Sequence, residues 1–191
     1  MEEISRKIRS DAIHDSEIIQ EIEYAKHRDP EFDINGRDTY DLSFLMNAVG
    51  LSRKELVRYL LNDPNINVNY SLEYNSVFHL VCWQRKTSIL KLLLERRDLN
   101  VNIQNTYGTT GLHVACIWGL EMCIKELLLD ARVNPLIRNN DGKTARDYVI
   151  QEERHYGIAN MLKRVLHTSL LRIPNKALCR DIVRMIIEEY V

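Results

Sequence analysis

The sequence predicts an all-α solenoid, a row of helix pairs in which each pair stacks on the next. Three observations carry this. The chain repeats itself: His79 and His113 lie 34 residues apart, and "NSVFHLVC" aligns with "TYGTTGLHVAC". Apolar slots follow each His at fixed offsets, Leu90 and Ile124 at eleven, then Leu93–Leu94 and Leu127–Leu128 at fourteen and fifteen. Turn and helix-start chemistry recurs in the same register. One helix pair of this pattern cannot bury its apolar side, whereas a stack of pairs can.

The units follow in chain order. Residues 1–35 form a degenerate first unit, whose helix "SEIIQEIEYAKH" places Ile18, Ile19 and Ile22 on one face. Its ending "DPEFDIN" matches "DPNINVN", which closes the second unit at 36–69. There Met46 takes the His slot, followed by Val57, Leu60 and Leu61, and Ser43 stands where an N-cap oxygen is wanted. The third unit, 70–102, has Ser76 as its cap but no glycine in its turn ("LEYNS"). The fourth, 103–134, has Thr110 as cap and Gly108 in "NTYGT", suited to positive φ. The fifth, 135–166, repeats this with Gly142 and Thr144 in "NNDGKT", Asp147 in the His slot, then Ile158, Met161 and Leu162. In 167–191, Pro174 separates two helical stretches. Leu178, Ile182, Met185 and Ile186 then share one face, as a helix capping the stack requires.

Composition narrows the function. Hydrophobic residues at 45% and charged residues at 28% are those of an ordinary globular chain. A net charge of −1 provides no field that would draw nucleic acid or an anionic membrane. No apolar run is long enough to span a bilayer, and "MEEISRKIRSD" has no apolar stretch of the kind a signal peptide carries. Four cysteines form no secreted disulfide pattern, so the expected location is the reducing cytoplasm, with the nucleus as alternative.

His79 with Cys82, and His113 with Cys116, share an H-x-x-C spacing that could supply four ligands to zinc. The repeat explains the coincidence, because the same slots recur in each unit. Cys82 and Cys116 fall in a small-residue slot facing the core, where a free thiol behaves as a small hydrophobe. Cys123 has only Lys125 as a basic neighbour in sequence, so no activated thiol is expected. Phosphate-binding, dinucleotide, zinc-protease and nucleophile-elbow motifs are all missing. Glu152–Glu153 and Glu188–Glu189 read as solvated helix faces. No catalytic residue, metal or cofactor is expected.

Taken together, "NTYGTTGLHVACIWGLEMCIKELLLDARVN" and "NNDGKTARDYV" resemble the ankyrin-repeat motif, and the resemblance covers roughly residues 15–166. It departs at "SFLMNA" in the second unit and at the glycine-free turn of the third, where irregular turns are expected. The resemblance implies that His79 and His113 are structural, bonding locally and packing between units. It also implies non-enzymatic binding of a protein partner on a concave face. That face comprises turn tips and the helix slots four and five after the His slot. The candidates are Tyr40, Leu51, Tyr74, Trp83, Gln84, Tyr107, Ile117, Trp118 and Arg138. Gly50 shares a slot with them, and Arg85, Lys86 and Lys143 flank them, suiting a partner with an acidic rim. Asn69, Asn102 and Asn134 stand where the family has asparagines that a hydroxylase modifies, although a hairpin-stabilising role is favoured for them. In the tail, "LCRDIVR" is similar to a SOCS box, and "IPNKALCRDIVRMI" to an F-box-like PRANC tail of poxviral ankyrin proteins. That resemblance implies docking of a ubiquitin-ligase linker protein through Leu178, Cys179, Ile182, Val183 and Ile186. Host cytoplasm would then be the location if the source is a virus or intracellular pathogen.

Overall fold

The computed structural model describes residues 2–150 apart from residue 73. The tail candidates Leu178, Cys179, Ile182, Val183 and Ile186, with the fifth unit's apolar-slot residues Ile158, Met161 and Leu162, lie outside the described residues.

Helices come in pairs, one short and one longer. The short helices are α1 (Glu2–Ile8), α3 (Phe44–Gly50), α5 (Val77–Trp83), α7 (Gly111–Ile117) and α9 (Ala145–Ile150). The longer ones are α2 (Asp15–Arg28), α4 (Lys54–Asn62), α6 (Thr87–Leu94) and α8 (Glu121–Leu129). The short helices stack in order from α1 to α9; α1, α3, α5 and α7 each pack on the longer helix that follows, and the longer helices stack likewise. The result is two helical layers with one continuous core between them. Among the described residues no helix is long and apolar enough to cross a membrane.

The apolar slots fill that core. Val57, Leu90 and Ile124 are fully buried, as are Leu60, Leu93 and Leu127. Each such side chain contributes about 1.5–3 kcal/mol by leaving water, so the repeated slots are the main favourable term. The next slot is less covered: Leu61 is buried, but Leu94 and Leu128 are only partly so. In the first unit Ile18 and Ile22 are buried, with Ile19 packed at the edge. The short helix α1, not foreseen in the sequence, completes this unit by burying Ile4 and Ile8 against α2 and α3.

Of the two turns expected to be irregular, the second unit's follows the common pattern and the third unit's does not. In the second unit Asp38 accepts hydrogen bonds from the N–H groups of Tyr40 (2.8 Å) and Leu42 (3.0 Å). Asn105 and Asn139 do the same in the fourth and fifth units. Asp41 takes the left-handed backbone position held by Gly108 and Gly142, with φ of 60° against 71° and 73°. Short polar residues tolerate that region through local hydrogen bonding. The third unit has no such acceptor and closes instead as a two-stranded hairpin. Its strands β1 (Ser71–Leu72) and β2 (Asn75–Ser76) pair Ser71 with Ser76 and Leu72 with Asn75. Backbone pairing there replaces the missing glycine and Asx contacts.

Repeat-to-repeat ties are side chain to backbone. Asn35, Asn69 and Asn102 each donate to a carbonyl in the following unit, those of Asn65, Asp98 and Arg132, at 2.8–2.9 Å. Each also accepts from an N–H there, on Asn67, Asn100 and Asn134. The asparagine endings are therefore staples between units. In the same unit-end segments Arg96 donates to the Asp63 carbonyl (3.1 Å), and Arg132 to those of Leu94 (2.7 Å) and Arg96 (2.8 Å). These guanidinium groups satisfy carbonyls that helix ends leave unpaired.

Candidate protein-binding face

Helix starts fix where this face lies. Ser43, Ser76 and Thr110 cap α3, α5 and α7 by accepting from the backbone N–H three residues on. At Ser76 and Thr110 the box is closed by His79 and His113. Nδ1 of each His accepts from the cap's own N–H at 3.2 Å. That leaves the proton on Nε2, which donates to a carbonyl of the next turn. The bond runs to Thr109 at 2.8 Å from His79 and to Lys143 at 3.1 Å from His113. Burial holds both imidazoles below the ordinary histidine pKa, so they are neutral linkers. Both nitrogens of each ring are thus committed to backbone-directed contacts. In the fifth unit Asp147 fills the slot differently, accepting from the Thr144 N–H (2.6 Å) and hydroxyl (2.8 Å).

The thiols behave as core groups. Burial pushes Cys82, Cys116 and Cys123 up from the usual thiol value. Cys123 lies 3.6 Å from the Thr87 hydroxyl.

With the short helices anchored, the candidate residues can be placed. Trp83 is 55% exposed and Trp118 56%, at the last turns of α5 and α7. Tyr40, Tyr74 and Tyr107 project from the turn tips and are more exposed than buried. Tyr74 and Tyr107 stack, with centroids 6.0 Å apart and planes 20° from parallel. Tyr40 stands apart from that pair, under the Arg9 guanidinium at 5.6 Å. Leu51 and Ile117 are exposed, Gln84 is half-buried, and Arg138 is exposed, donating to the Gly142 carbonyl at 2.6 Å.

A cleft of about 300 Å³ opens between α5 and α7, lined by Asn75, His79, Leu80, Trp83, Val114 and Trp118. Its position has a local cause. In the second unit the turn residue Asp38 accepts from Asn47 Nδ2 across the turn–helix gap at 3.0 Å. Burial works against ionising Asp38, but that bond, the N–H groups of Leu42 and Tyr40, and Arg9 hold its pKa below the ordinary value. In the fifth unit Asn139 Nδ2 donates to the Tyr148 hydroxyl at 2.7 Å across the equivalent gap. The equivalent helix residues between these are Leu80 and Val114, which are apolar and half-exposed. The gap is bridged in the second and fifth units and open in the third and fourth. Sequence reasoning found the two tryptophans but missed Asn75, Leu80 and Val114.

Comparison with known proteins agrees with this architecture. Residues 78–168 match the family described as ankyrin repeats (3 copies). Over 74 residues, 39% of this chain, the sequence is 30% identical to the SMC5-SMC6 complex localization factor protein 1 of Bos taurus and of Homo sapiens. Over 124 residues, 63% of this chain, it is 31% identical to the mitochondrial disaggregase of Bos taurus. These stretches span 7% and 18% of the respective relatives, so the likeness is to a repeat segment within longer proteins. Residues 78–168 of this chain are therefore identified as ankyrin repeats.

Proposed function

We propose that this protein is a non-enzymatic recognition module that binds a partner protein on the concave ankyrin face. Ankyrin repeats are protein–protein interaction modules; the reading added here is which surface is used. One observation carries it. Tyr40, Leu51, Tyr74, Trp83, Tyr107, Ile117 and Trp118 are all exposed and all lie on the turn-tip and short-helix side. The large apolar residues exposed on the longer helices are Tyr24, Met122 and Leu129, spread over α2 and α8. Exposed aromatics gathered in adjoining units are the composition of binding hot spots. The test is the double substitution Tyr107→Ala with Trp118→Ala, followed by affinity purification and a melting curve. Loss of captured partners at an unchanged melting temperature is the expected result. Retention of the same partners would overturn the reading.

A second reading comes from the tail sequence "LCRDIVR", which resembles a degradation-machinery docking motif. In it the repeats hold a target while residues 173–191 engage a ubiquitin-ligase linker. A chain ending at Arg172 then loses cullin-linker proteins but keeps the partners of the repeats. Identical capture by both forms removes this reading and leaves the repeats as the binding unit.

A further inference from the structure

We propose that the cleft between Trp83 and Trp118 takes a peptide segment of the partner, with one bulky apolar side chain seated between the indoles and carboxylates flanking it. This deepens the concave-face reading and rests on it. The apolar requirement follows from the cleft. Its walls are the two indoles with Leu80 and Val114, and its polar members His79 and Asn75 already have partners. A side chain seated there would bury apolar surface without stranding a polar group.

The carboxylate requirement follows from charge. Arg85 and Lys86 sit just beyond the end of α5, and Arg138 and Lys143 sit in the turn of the fifth unit, which follows that of α7. Among the described residues none of the four has a carboxylate within ion-pair distance. Lys86 is held to the Ser52 hydroxyl, Arg138 to the Gly142 carbonyl, and Lys143 lies over the Tyr148 ring at 5.3 Å. Other exposed cations divide, Arg37 and Lys91 having carboxylate partners while Arg6, Lys54, Arg97 and Lys125 have no ion pair among the described residues, so what marks these four is their position, two just after α5 and two just before α9. Arg85 adds a second argument. It holds a left-handed backbone, φ 60°, at the position where the next unit has Gly119, also at 60°. A long side chain there is strained where glycine would be relaxed. The second unit has the short, uncharged Ser52 at this position (φ 62°), so the third unit places a charge where neither neighbour has one.

The chain has 2 Trp, and both line the cleft, so intrinsic fluorescence reports occupancy of this site with no background. The experiment selects random dodecapeptides on phage against the full chain, with depletion on Trp83→Ala/Trp118→Ala. Selected peptides are then synthesised and titrated by tryptophan emission and acrylamide quenching. Expected are peptides joining an aromatic or large aliphatic residue to neighbouring Asp or Glu. They should blue-shift the emission and lose about tenfold or more in affinity on either tryptophan substitution. Binding should weaken severalfold between about 50 mM and about 500 mM salt. Arg85→Gly should leave the melting temperature unchanged or higher while weakening these peptides. Selected peptides that need the tryptophans but carry no acidic bias would overturn this inference and leave the concave-face reading standing. No enrichment over the depleted variant, or peptides indifferent to both tryptophans, would overturn it and remove the α5–α7 cleft from that reading.

Discussion

Both nitrogens of His79 and of His113 are committed, one to the helix cap and one to the turn of the next unit. A proton added to Nδ1 would displace the cap's N–H, and burial opposes the charge as well. Both groups therefore have a folded-state pKa below the reference 6.5. Above that reference both states are neutral and the two histidines add no pH dependence. Below it the unfolded chain takes up protons that the folded chain refuses, so stability falls as pH drops from 6.5 toward the depressed folded value. Imidazole NMR signals of these two residues should titrate below 6.5 and show the Nε2–H tautomer in nitrogen shifts. A midpoint at or above 6.5 for either would refute the assignment. The slot was legible in sequence because "SVFH" and "TGLH" repeat at one spacing; the identity of the bonded carbonyls was not, since they lie 30 residues on.

At the scale of one helix on the next, Gly111 shows how one unit's side chains limit those of its neighbour. A Cβ at Gly111 would lie 2.9 Å from the Phe78 ring and 3.0 Å from Cys82 Sγ. Phe78 is fully buried and has nowhere to retreat. The large ring in α5 and the missing side chain in α7 are thus one packing decision. Gly111→Ala should cost about 1–3 kcal/mol by overpacking, despite the better helix propensity of alanine. Adding Phe78→Leu to Gly111→Ala should cost less than the sum of the two single changes, measured by urea denaturation as a double-mutant cycle. Strict additivity would show that the two residues do not compete for space. Element existence was readable wherever the period held. Helix α1 was missed because seven residues with two buried isoleucines give little periodicity, and residues 9–14 are a longer link between paired helices than 51–53, 84–86 and 118–120 in the later units. The open cleft escaped notice because it depends on polar pairs nine residues apart, Asp38–Asn47 and Asn139–Tyr148, where the middle units have apolar partners instead. That contrast was present in the sequence but meaningful only once turn and helix were seen to face each other.

Over the whole molecule, stability is a chain of neighbour contacts, so a defect at one end should stay near that end. Arg53 is the point to test. It donates to the carbonyls of Ile8 (2.6 Å), Ile13 (3.0 Å) and Ser10, and pairs with Asp15 at 2.7 Å. Asp15 in turn accepts from the Leu56 N–H at 3.1 Å. One largely buried guanidinium therefore ties the end of α1, the start of α2 and the start of α4. Arg53→Ala removes these charge-assisted bonds and leaves Asp15 without its cation, a loss of about 2–4 kcal/mol. Because α1 and α2 pack chiefly on α3 and α4 among the described helices, the expected response is fraying of the first unit. Amide exchange across 4–28 should quicken by about thirtyfold or more, while protection in α7 and α8 changes little. Tryptophan fluorescence, which reports the third and fourth units, should keep nearly the same urea midpoint. An equal rise in exchange in α8, with a matching drop in that midpoint, would mean that the stack unfolds as one cooperative block. The Arg53 contacts would then be stabilising every unit rather than sealing one end.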